Sequence, residues 1–571
     1  MTQSLPLSPF TVSLVIAVLW LIVKLTNGLN RRRGTAGTTI RGPKNDSFIF
    51  GMTRRIVKAA DTGLLFQEWA EEYGPVYQIA APLGAKRLVL CDPKAVNHFY
   101  SMERSVYVKT QLGRNVIANL VCSPSLYVPI SCPTDCSLVV VYSGLKETVT
   151  NGNQRKALTP AFSNAAIRRL TDVFYDSAYK LKGHWDRTLD ESTSGEGAVI
   201  DVEHWVNRVA LDSIGIAGFA HDFGTLDGKY SAVAAAFDGL SFDGGLITNL
   251  LFLLGLRLPF LARLPSQRNR ITRNLRLTMS EIADQLLEKT RKEKKTHITD
   301  ETMDRSVIGL LLKAESDDAE LHMDPVEVLA QMAIHSLQIV NIALIVFSEC
   351  FALGRLRDHI NLTWALIELA RQPQKQAQLR EELMKFGSSD PTWDQLVSGL
   401  SYLDAVVLET LRLHPPLAET TRVADVDDIL PISEPITLPD GEVVDSIVVA
   451  KGTLVTASIR CMNQSERFWG PDAKEFKPER WLTLETDPLR AKEITGHRHL
   501  ITFSEGPRVC LGKQFALAEF KAVLVVLIRN FMYAFPGGPE TEIAAHKSII
   551  PRPKVAGQPG ANVPMLVRRV D

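Results

Sequence analysis

The sequence predicts a mainly α-helical protein with small β-sheets behind a single N-terminal transmembrane helix. Three observations lead to this prediction: an apolar stretch near the amino terminus, long amphipathic patterns through most of the chain, and a few short strand-like pieces. The chain has 571 residues, 45% of them hydrophobic, so it is long enough to bury a large core.

The apolar stretch, LPLSPFTVSLVIAVLWLIVKL, covers residues 5–25. As a helix it would be about 30 Å long, which matches the hydrocarbon core of a bilayer. Arg31, Arg32 and Arg33 follow it, and basic residues favour the cytoplasmic side. We therefore predict a membrane anchor at residues 1–30 and a cytoplasmic body at residues 31–571. A cleaved signal peptide, the main alternative, would have a basic start and a small-residue cleavage site.

The next element predicted is a pair of short strands in residues 74–96, around a Pro-Leu-Gly turn and followed by a helix that starts with proline. Helical patterns then dominate the sequence. They cover residues 165–185, 279–295, 362–386 and 401–416. Strand-like patterns return at residues 442–459 and in the Pro- and Gly-rich tail after residue 548.

Charge and cysteine content exclude two classes of protein. The formal net charge is zero and the isoelectric point is near 7.2, which argues against a nucleic-acid-binding protein with a basic patch. The seven cysteines are an odd number scattered along a long chain, so they do not indicate a disulfide framework. We expect the main body to face a reducing compartment.

The stretch FSEGPRVCLG, residues 503–512, suggests a chemical site. Cys510 stands just before an amphipathic helical run, where unpaired N–H groups and the helix dipole favour an anion, so we expect a thiolate. Gly506 and Gly512 would permit a tight turn and close approach of a flat ligand, and Arg508 offers a fixed positive charge. These features fit a cysteinate bound to haem iron; the alternative is an inert buried thiol.

The pattern formed by Phe503, Gly506, Arg508, Cys510 and Gly512 resembles the haem-binding signature of the cytochrome P450 family. This resemblance implies the cytochrome P450 fold and makes Cys510 the axial ligand of the iron of haem b.

Two further stretches resemble the family in the expected order. Glu409 and Arg412 in LETLRLHPP resemble its buried Glu-x-x-Arg helix, and Arg480 in FKPERW resembles the arginine that precedes the haem loop. Glu409 and Arg412 share a helix face, and Arg480 would complete a buried charge triad. An ordinary surface ion pair is the alternative.

Two arginines resemble the family residues that bind haem propionates. Arg422 follows the Glu-x-x-Arg helix, and Arg155 lies in NQRKALTPAFS. The family often has Trp or His four residues before the second arginine, where this chain has Asn151. An ordinary solvated arginine is the alternative at Arg155.

The resemblance implies a function and partners. The chain would be a membrane-anchored monooxygenase of the microsomal, fungal type, in the endoplasmic reticulum, that inserts one oxygen atom from O2 into a lipophilic small molecule. Secondary or xenobiotic metabolism would be its setting. Electrons would come from NADPH through a flavoprotein, NADPH-cytochrome P450 reductase, docked near Lys513.

Two segments differ from the family pattern. Residues 334–361 contain no acid-Thr pair, which the family uses on the distal side of the haem to deliver protons. Residues 122–152 are rich in Ser, Pro and Val and hold Cys122, Cys132 and Cys136, too few ligands to favour a metal site. Our hypothesis for both is retained intron or mis-joined exon sequence. No catalytic residue is assigned. The alternative function is a haem-binding protein without monooxygenase activity, and a third is a helical membrane scaffold without haem.

Overall fold

The computed structural model describes residues 37–110, 159–229 and 352–570, except 49, 60–61, 193–195, 220, 485–489 and 547–550. Helices dominate this part of the chain. The helices are α1 (Thr53–Lys58), α2 (Thr62–Tyr73), α3 (Pro93–Ser101), α4 (Asn164–Glu191), α5 (Val202–Phe219), α6 (Ala352–Arg371), α7 (Pro373–Met384), α8 (Trp393–Ser398), α9 (Ser401–Leu413), α10 (Ile459–Gln464), α11 (Glu466–Trp469), α12 (Arg480–Thr483) and α13 (Lys513–Asn530).

The strands are short and form small sheets. They are β1 (Val76–Ala80), β2 (Lys86–Leu90), β3 (Tyr107–Val108), β4 (Ala198–Asp201), β5 (Glu419–Ala424), β6 (Asp428–Thr437), β7 (Val443–Val449), β8 (Leu454–Ser458), β9 (Phe531–Ala534), β10 (Ile543–His546), β11 (Arg552–Val555) and β12 (Pro564–Arg569). The prediction of a mainly helical protein with small sheets is thus confirmed for the described residues.

The chain divides into two compact units. The first comprises the residues up to Val108 together with Glu419–Cys461. Its sheet has the strand order β1-β2-β8-β5-β3, in which β2 and β8 run parallel. The separate antiparallel pair β6 and β7 belongs to the same unit.

The predicted hairpin is confirmed in the first unit. β1 and β2 pair antiparallel, with Val76 opposite Leu90, across a 3-10 turn at Pro82–Gly84. Helix α3 then begins with Pro93, and the Asp92 side chain caps it by accepting from the N–H of Ala95 at 2.9 Å. Proline suits this position because the first turn of a helix has no intrahelical partner for its N–H.

The second unit, formed by Lys109–Ala418 and Met462–Asp571, is built around α13. This helix is buried on all sides from Phe515 to Ile528, as expected for a helix inside a core. It packs against α4, α6, α7, α8 and α9. The rings of Phe174 in α4 and Phe515 in α13 meet edge to face, 4.9 Å between centroids. A three-stranded sheet, β4-β12-β9, and the pair β10 and β11 complete the unit.

One helical prediction needs a correction. The single pattern at residues 362–386 is two helices, α6 and α7, which divide at Gln372. Pro373 causes the break because it has no N–H for the hydrogen-bond ladder of α6, while it suits the first position of α7.

The predicted membrane anchor at residues 1–30 lies outside the described residues. Within the ranges that the structure describes, no helix is long and apolar enough to cross a membrane.

Candidate functional site

Cys510 ends a tight loop that leads directly into a buried helix. Its backbone N–H donates to the carbonyl of Phe503, 2.9 Å away, and closes the loop. Between them, Gly506–Arg508 forms a 3-10 turn in which Gly506 has a φ of 70°. This left-handed angle favours glycine because a Cβ would be crowded there. Cys510 is in no disulfide and is only 6% exposed.

Gly512 lies at the N-cap of α13, which begins at Lys513. The first N–H groups of this helix have no intrahelical partners and therefore favour a negative charge on the preceding cysteine. Gly512 has a φ of −82°, which any residue adopts, so of the two predicted glycines only Gly506 makes the turn by its backbone angle. Arg508 is buried in the same loop.

The structure brings Glu409, Arg412 and Arg480 together. Arg412 binds the Glu409 carboxylate with both Nε and Nη2, each at 2.8 Å. Arg480 adds a third contact through its Nε, 3.0 Å from Oε1 of Glu409. All three side chains are buried, so the bidentate geometry has to compensate for their desolvation. A surface ion pair, the alternative considered for Glu409 and Arg412, is therefore wrong.

Neighbouring groups complete the contacts of this triad. The backbone N–H of Lys477 and the indole N–H of Trp481 both donate to Glu409 at 2.9 Å. Arg412 also donates to the carbonyl of Asn463 at 2.8 Å. The triad and its partners thus connect α9 with Asn463 in α10 and with Arg480 in α12. These contacts hold three segments of the chain together.

The electrostatics keep Glu409 and Arg480 ionised. Burial alone would raise the pKa of Glu409, but Arg412, Arg480 and the Lys477 N–H outweigh it and hold that pKa below its usual value. Burial would likewise lower the pKa of Arg480, yet Glu409 and Asp472 raise it above the usual value for arginine. Each charge is therefore stabilised by its opposite partner.

Two buried polar side chains join the triad to the cysteine loop. The Asn463 amide donates to the hydroxyl of Thr502 at 2.9 Å, and that hydroxyl donates to the carbonyl of Leu411 at 3.0 Å. Thr502 is directly followed by Phe503, whose carbonyl accepts from Cys510. The loop of Cys510 is thus connected by hydrogen bonds to helix α9.

The segment before this loop carries unusual backbone angles. Arg498, His499 and Ser504 have φ values of 52°, 62° and 58° although none is glycine. Such residues are enriched near functional sites, where the surrounding structure holds them. The ring of His497 lies edge-on to that of Phe503, with 6.2 Å between centroids.

The two arginines predicted to bind haem propionates have different outcomes. Arg422 lies in β5 of the first unit, is buried, and pairs with Glu103 at 2.9 Å. Its contact with a propionate stays a prediction. Arg155 lies outside the described residues, as do the whole of residues 122–152 and Cys122, Cys132 and Cys136 with them. Of the atypical segment 334–361, residues 352–361 are described, as the first half of α6.

Sequence reasoning missed Asn463, Thr502 and Trp481. Trp481 directly follows Arg480, and Thr502 directly precedes Phe503, so their closeness to predicted site residues was an available signal. Asn463 had no such signal, because its partners lie 39 and 51 positions away in the chain.

Comparison with known proteins identifies the family. The model of the cytochrome P450 family matches residues 146–335 and 359–557, so the interruption falls within the atypical segment 334–361. The chain is 50% identical over 577 aligned residues to cytochrome P450 monooxygenase claP of Ampulloclitocybe clavipes, with 100% of each chain covered. Cytochrome P450 monooxygenase claO of the same fungus is also 50% identical, over 576 residues and 100% of each chain.

A more distant relative covers nearly the same length. Cytochrome P450 monooxygenase 205 of Postia placenta is 32% identical across 93% of this chain and 92% of its own. Together with the ordered motifs around Glu409 and Cys510, these matches lead to one conclusion: the chain belongs to the cytochrome P450 family.

Proposed function

We propose that this cytochrome P450 is a haem-thiolate monooxygenase that inserts one oxygen atom from O2 into a lipophilic small molecule, in fungal secondary or xenobiotic metabolism. The position of Cys510 carries the proposal: it is a buried cysteine outside any disulfide, before a helix N-terminus, on a loop connected by hydrogen bonds to the helix of a buried charge triad. The relatives named monooxygenases at full length support it.

The residues around Cys510 fit a haem better than a bare metal ion. Among the residues that the structure describes, no group of three or more His, Cys, Asp or Glu side chains could hold a metal ion. A single cysteine on a loop opened by Gly506 matches an iron that a porphyrin already holds and that needs one protein ligand. The cofactor that these residues suit is therefore haem b.

The residues of the candidate site would each have a defined part in the chemistry. The haem, when bound, supplies oxygen activation, which a thiolate ligand promotes by donating electron density. Cys510 would hold the iron, and the N-terminal N–H groups of α13 would stabilise the charge of its sulfur. Arg508 places a fixed positive charge in the loop, suited to a haem carboxylate. The same part for Arg422 and Arg155 rests on family resemblance.

Electron supply and location form part of the same proposal. NADPH-cytochrome P450 reductase would deliver electrons, and a basic surface around Lys513 would complement an acidic partner. The apolar residues 5–25 and the arginines after them support a single-pass anchor in the endoplasmic reticulum membrane with the catalytic domain in the cytoplasm.

The ferrous-CO difference spectrum of the expressed full chain tests haem-thiolate ligation. We expect a red-shifted Soret band, its loss in Cys510→Ser, and its retention in Cys461→Ser, which changes another buried free cysteine. A wild-type chain without that band, or a Cys510→Ser chain that keeps it, would contradict the proposal.

A haem-binding protein without monooxygenase activity is the second candidate function, because residues 334–361 lack an acid-Thr pair. A normal red-shifted band without NADPH-driven turnover would favour it. Sequencing the spliced transcript across residues 122–152 and 334–361 tests the intron hypothesis. The presence of both segments in the mature message would refute that hypothesis.

A further inference from the structure

The carboxyl end of helix α9 leaves backbone carbonyls that its own turn cannot satisfy. The carbonyl of Leu411 would normally accept from the N–H of residue 415, but that residue is Pro415, which has none. The hydroxyl of Thr502 donates to this carbonyl at 3.0 Å. The cysteine loop thus provides the donor that the His-Pro-Pro sequence removes from the helix.

The hydroxyl of Thr502 also accepts a hydrogen bond from Asn463, a residue that contacts the charge triad. The side-chain amide of Asn463 donates to Thr502 at 2.9 Å, while the backbone carbonyl of Asn463 accepts from Arg412. Thr502 is 1% exposed and Asn463 is fully buried, so water cannot replace either bond at low cost. A valine has nearly the shape of threonine but neither function.

Thr502 lies close enough to Cys510 in the loop that a displacement of Thr502 would also displace the cysteine. It directly precedes Phe503, and the Phe503 carbonyl accepts from the N–H of Cys510 at 2.9 Å. Fixing Thr502 on α9 therefore fixes the near end of the loop on which the sulfur stands. A shift of the loop along α9 would carry Phe503 and Cys510 with it.

We propose that Thr502 is a positioning residue that holds the Cys510 loop on helix α9, so that the thiolate stays in place to bind the haem iron. This inference rests on the proposed haem-thiolate function. We therefore expect loss of the hydroxyl to raise the ratio of haem bound without the thiolate to haem bound with it. This rise should exceed what a general loss of stability causes.

The test compares the full-length wild type with Thr502→Val, Thr502→Ser, Asn463→Ala and Thr171→Val. The last is a matched control, since Thr171 is a buried helical threonine whose hydroxyl donates to the carbonyl of Ile167 at 3.2 Å, in α4. The ferrous-CO spectrum gives the ratio of non-thiolate to thiolate-ligated haem, and thermal unfolding reports general stability.

For Thr502→Val we expect a rise of at least about fivefold in this ratio, because the hydroxyl makes two buried hydrogen bonds and the loss of one alone changes an equilibrium by about that factor. Thr502→Ser should restore the wild-type ratio because it keeps the hydroxyl. Asn463→Ala should raise the ratio, and its effect combined with Thr502→Val should be less than additive since both remove the same bond. Thr171→Val should leave the ratio unchanged even if it lowers the unfolding temperature.

Several results would overturn the assignment. A wild-type ratio in Thr502→Val would do so, and so would an equal rise in Thr171→Val. If Thr502→Val binds no haem, Asn463→Ala and Thr502→Ser decide the question. A wild-type ratio in Asn463→Ala, or a raised ratio in Thr502→Ser, would reject the assignment. A wild-type chain without the thiolate band would reject the proposed function and this assignment together, whereas a normal wild-type band with an unchanged Thr502→Val rejects only the assignment.

Discussion

Glu409 is a fully buried carboxylate, so its charge must be compensated by neighbouring hydrogen-bond donors. Its carboxylate has no exposed surface and accepts from five donors, which belong to Arg412 (twice), Arg480, Lys477 and Trp481. The two carboxylate oxygens share these donors unevenly: among the described residues, Oε2 accepts from two, Arg412 Nε and the Trp481 indole. Each donor to that oxygen is therefore important for keeping the buried charge.

Replacing Trp481 with phenylalanine should make the protein less resistant to acid. Because the folded pKa of Glu409 is depressed, its contribution to stability is present above the unfolded pKa and disappears as the pH falls through the folded pKa. Loss of the indole N–H raises the folded pKa, so acid unfolding should begin about one pH unit higher. Circular dichroism against pH measures the shift.

Trp469→Phe is the matched control for this prediction. Trp469 is buried and its ring lies 5.4 Å from that of Trp481, but its indole N–H donates to the Met462 carbonyl rather than to the carboxylate. It should lower stability without moving the acid midpoint. An equal shift in both variants would show that ring packing, and not the donor to Glu409, sets the midpoint.

The segment from His497 to Ser504 contains a half-buried histidine, His497, whose ring contacts Phe503 at the start of the cysteine loop. Burial and, after it, the nearby Lys513 lower the pKa of His497 to about 4. The unfolded chain binds this proton already below about pH 6.5, so stability should fall between about pH 6.5 and 4, by up to about 3 kcal/mol. Protonation would place a charge beside the ring of Phe503.

His497→Gln should flatten that pH dependence. Chemical denaturation at several pH values between about 6.5 and 4 gives the free energy of unfolding of each variant. The control is His499→Gln, since His499 is a histidine of the same segment but lies outside the ring contact between His497 and Phe503. If His497→Gln keeps the full slope of the wild type, another group is responsible for it.

Elements with local signals could be predicted from the sequence. The hairpin around Pro82–Gly84 and the helices α9 and α13 were predicted because alternation, helical period and turn residues mark them within a few positions. The prediction that α13 is amphipathic was wrong, because the helix is buried on all sides from Phe515 to Ile528. Strands such as β4 and β9 were missed because they are four residues long and are stabilised by pairing with β12, far away in the chain. Nonlocal pairing leaves no local pattern.

In the candidate site, too, contacts between distant parts of the chain could not be predicted from the sequence. Glu409, Arg412, Arg480 and Cys510 could be chosen from the sequence because each stands in a short motif that resembles one of the family. The hydrogen bond between Asn463 and Thr502 could not, because it exists only once segments 39 positions apart have packed together.

The orientation of the whole protein in the membrane can be tested through its exposed sequon. Asn45 in Asn-Asp-Ser is exposed and lies after the proposed anchor, so in a cytoplasmic body it should carry no glycan. The mass of the protein expressed in a eukaryote should not change on treatment with a glycosidase. A new sequon placed before residue 5 is the positive control. A glycan on Asn45 would reverse the proposed orientation.

The attachment of the Cys510 loop to α9 also bears on the order of events during synthesis. The groups that fix this loop come from Leu411 and Asn463, and α13, which follows the cysteine in the chain, continues to Asn530. A ribosome must therefore complete most of the chain before a site for the cofactor exists. We expect haem to be captured by finished chains, and a message truncated shortly after codon 510 to yield protein that cannot retain it.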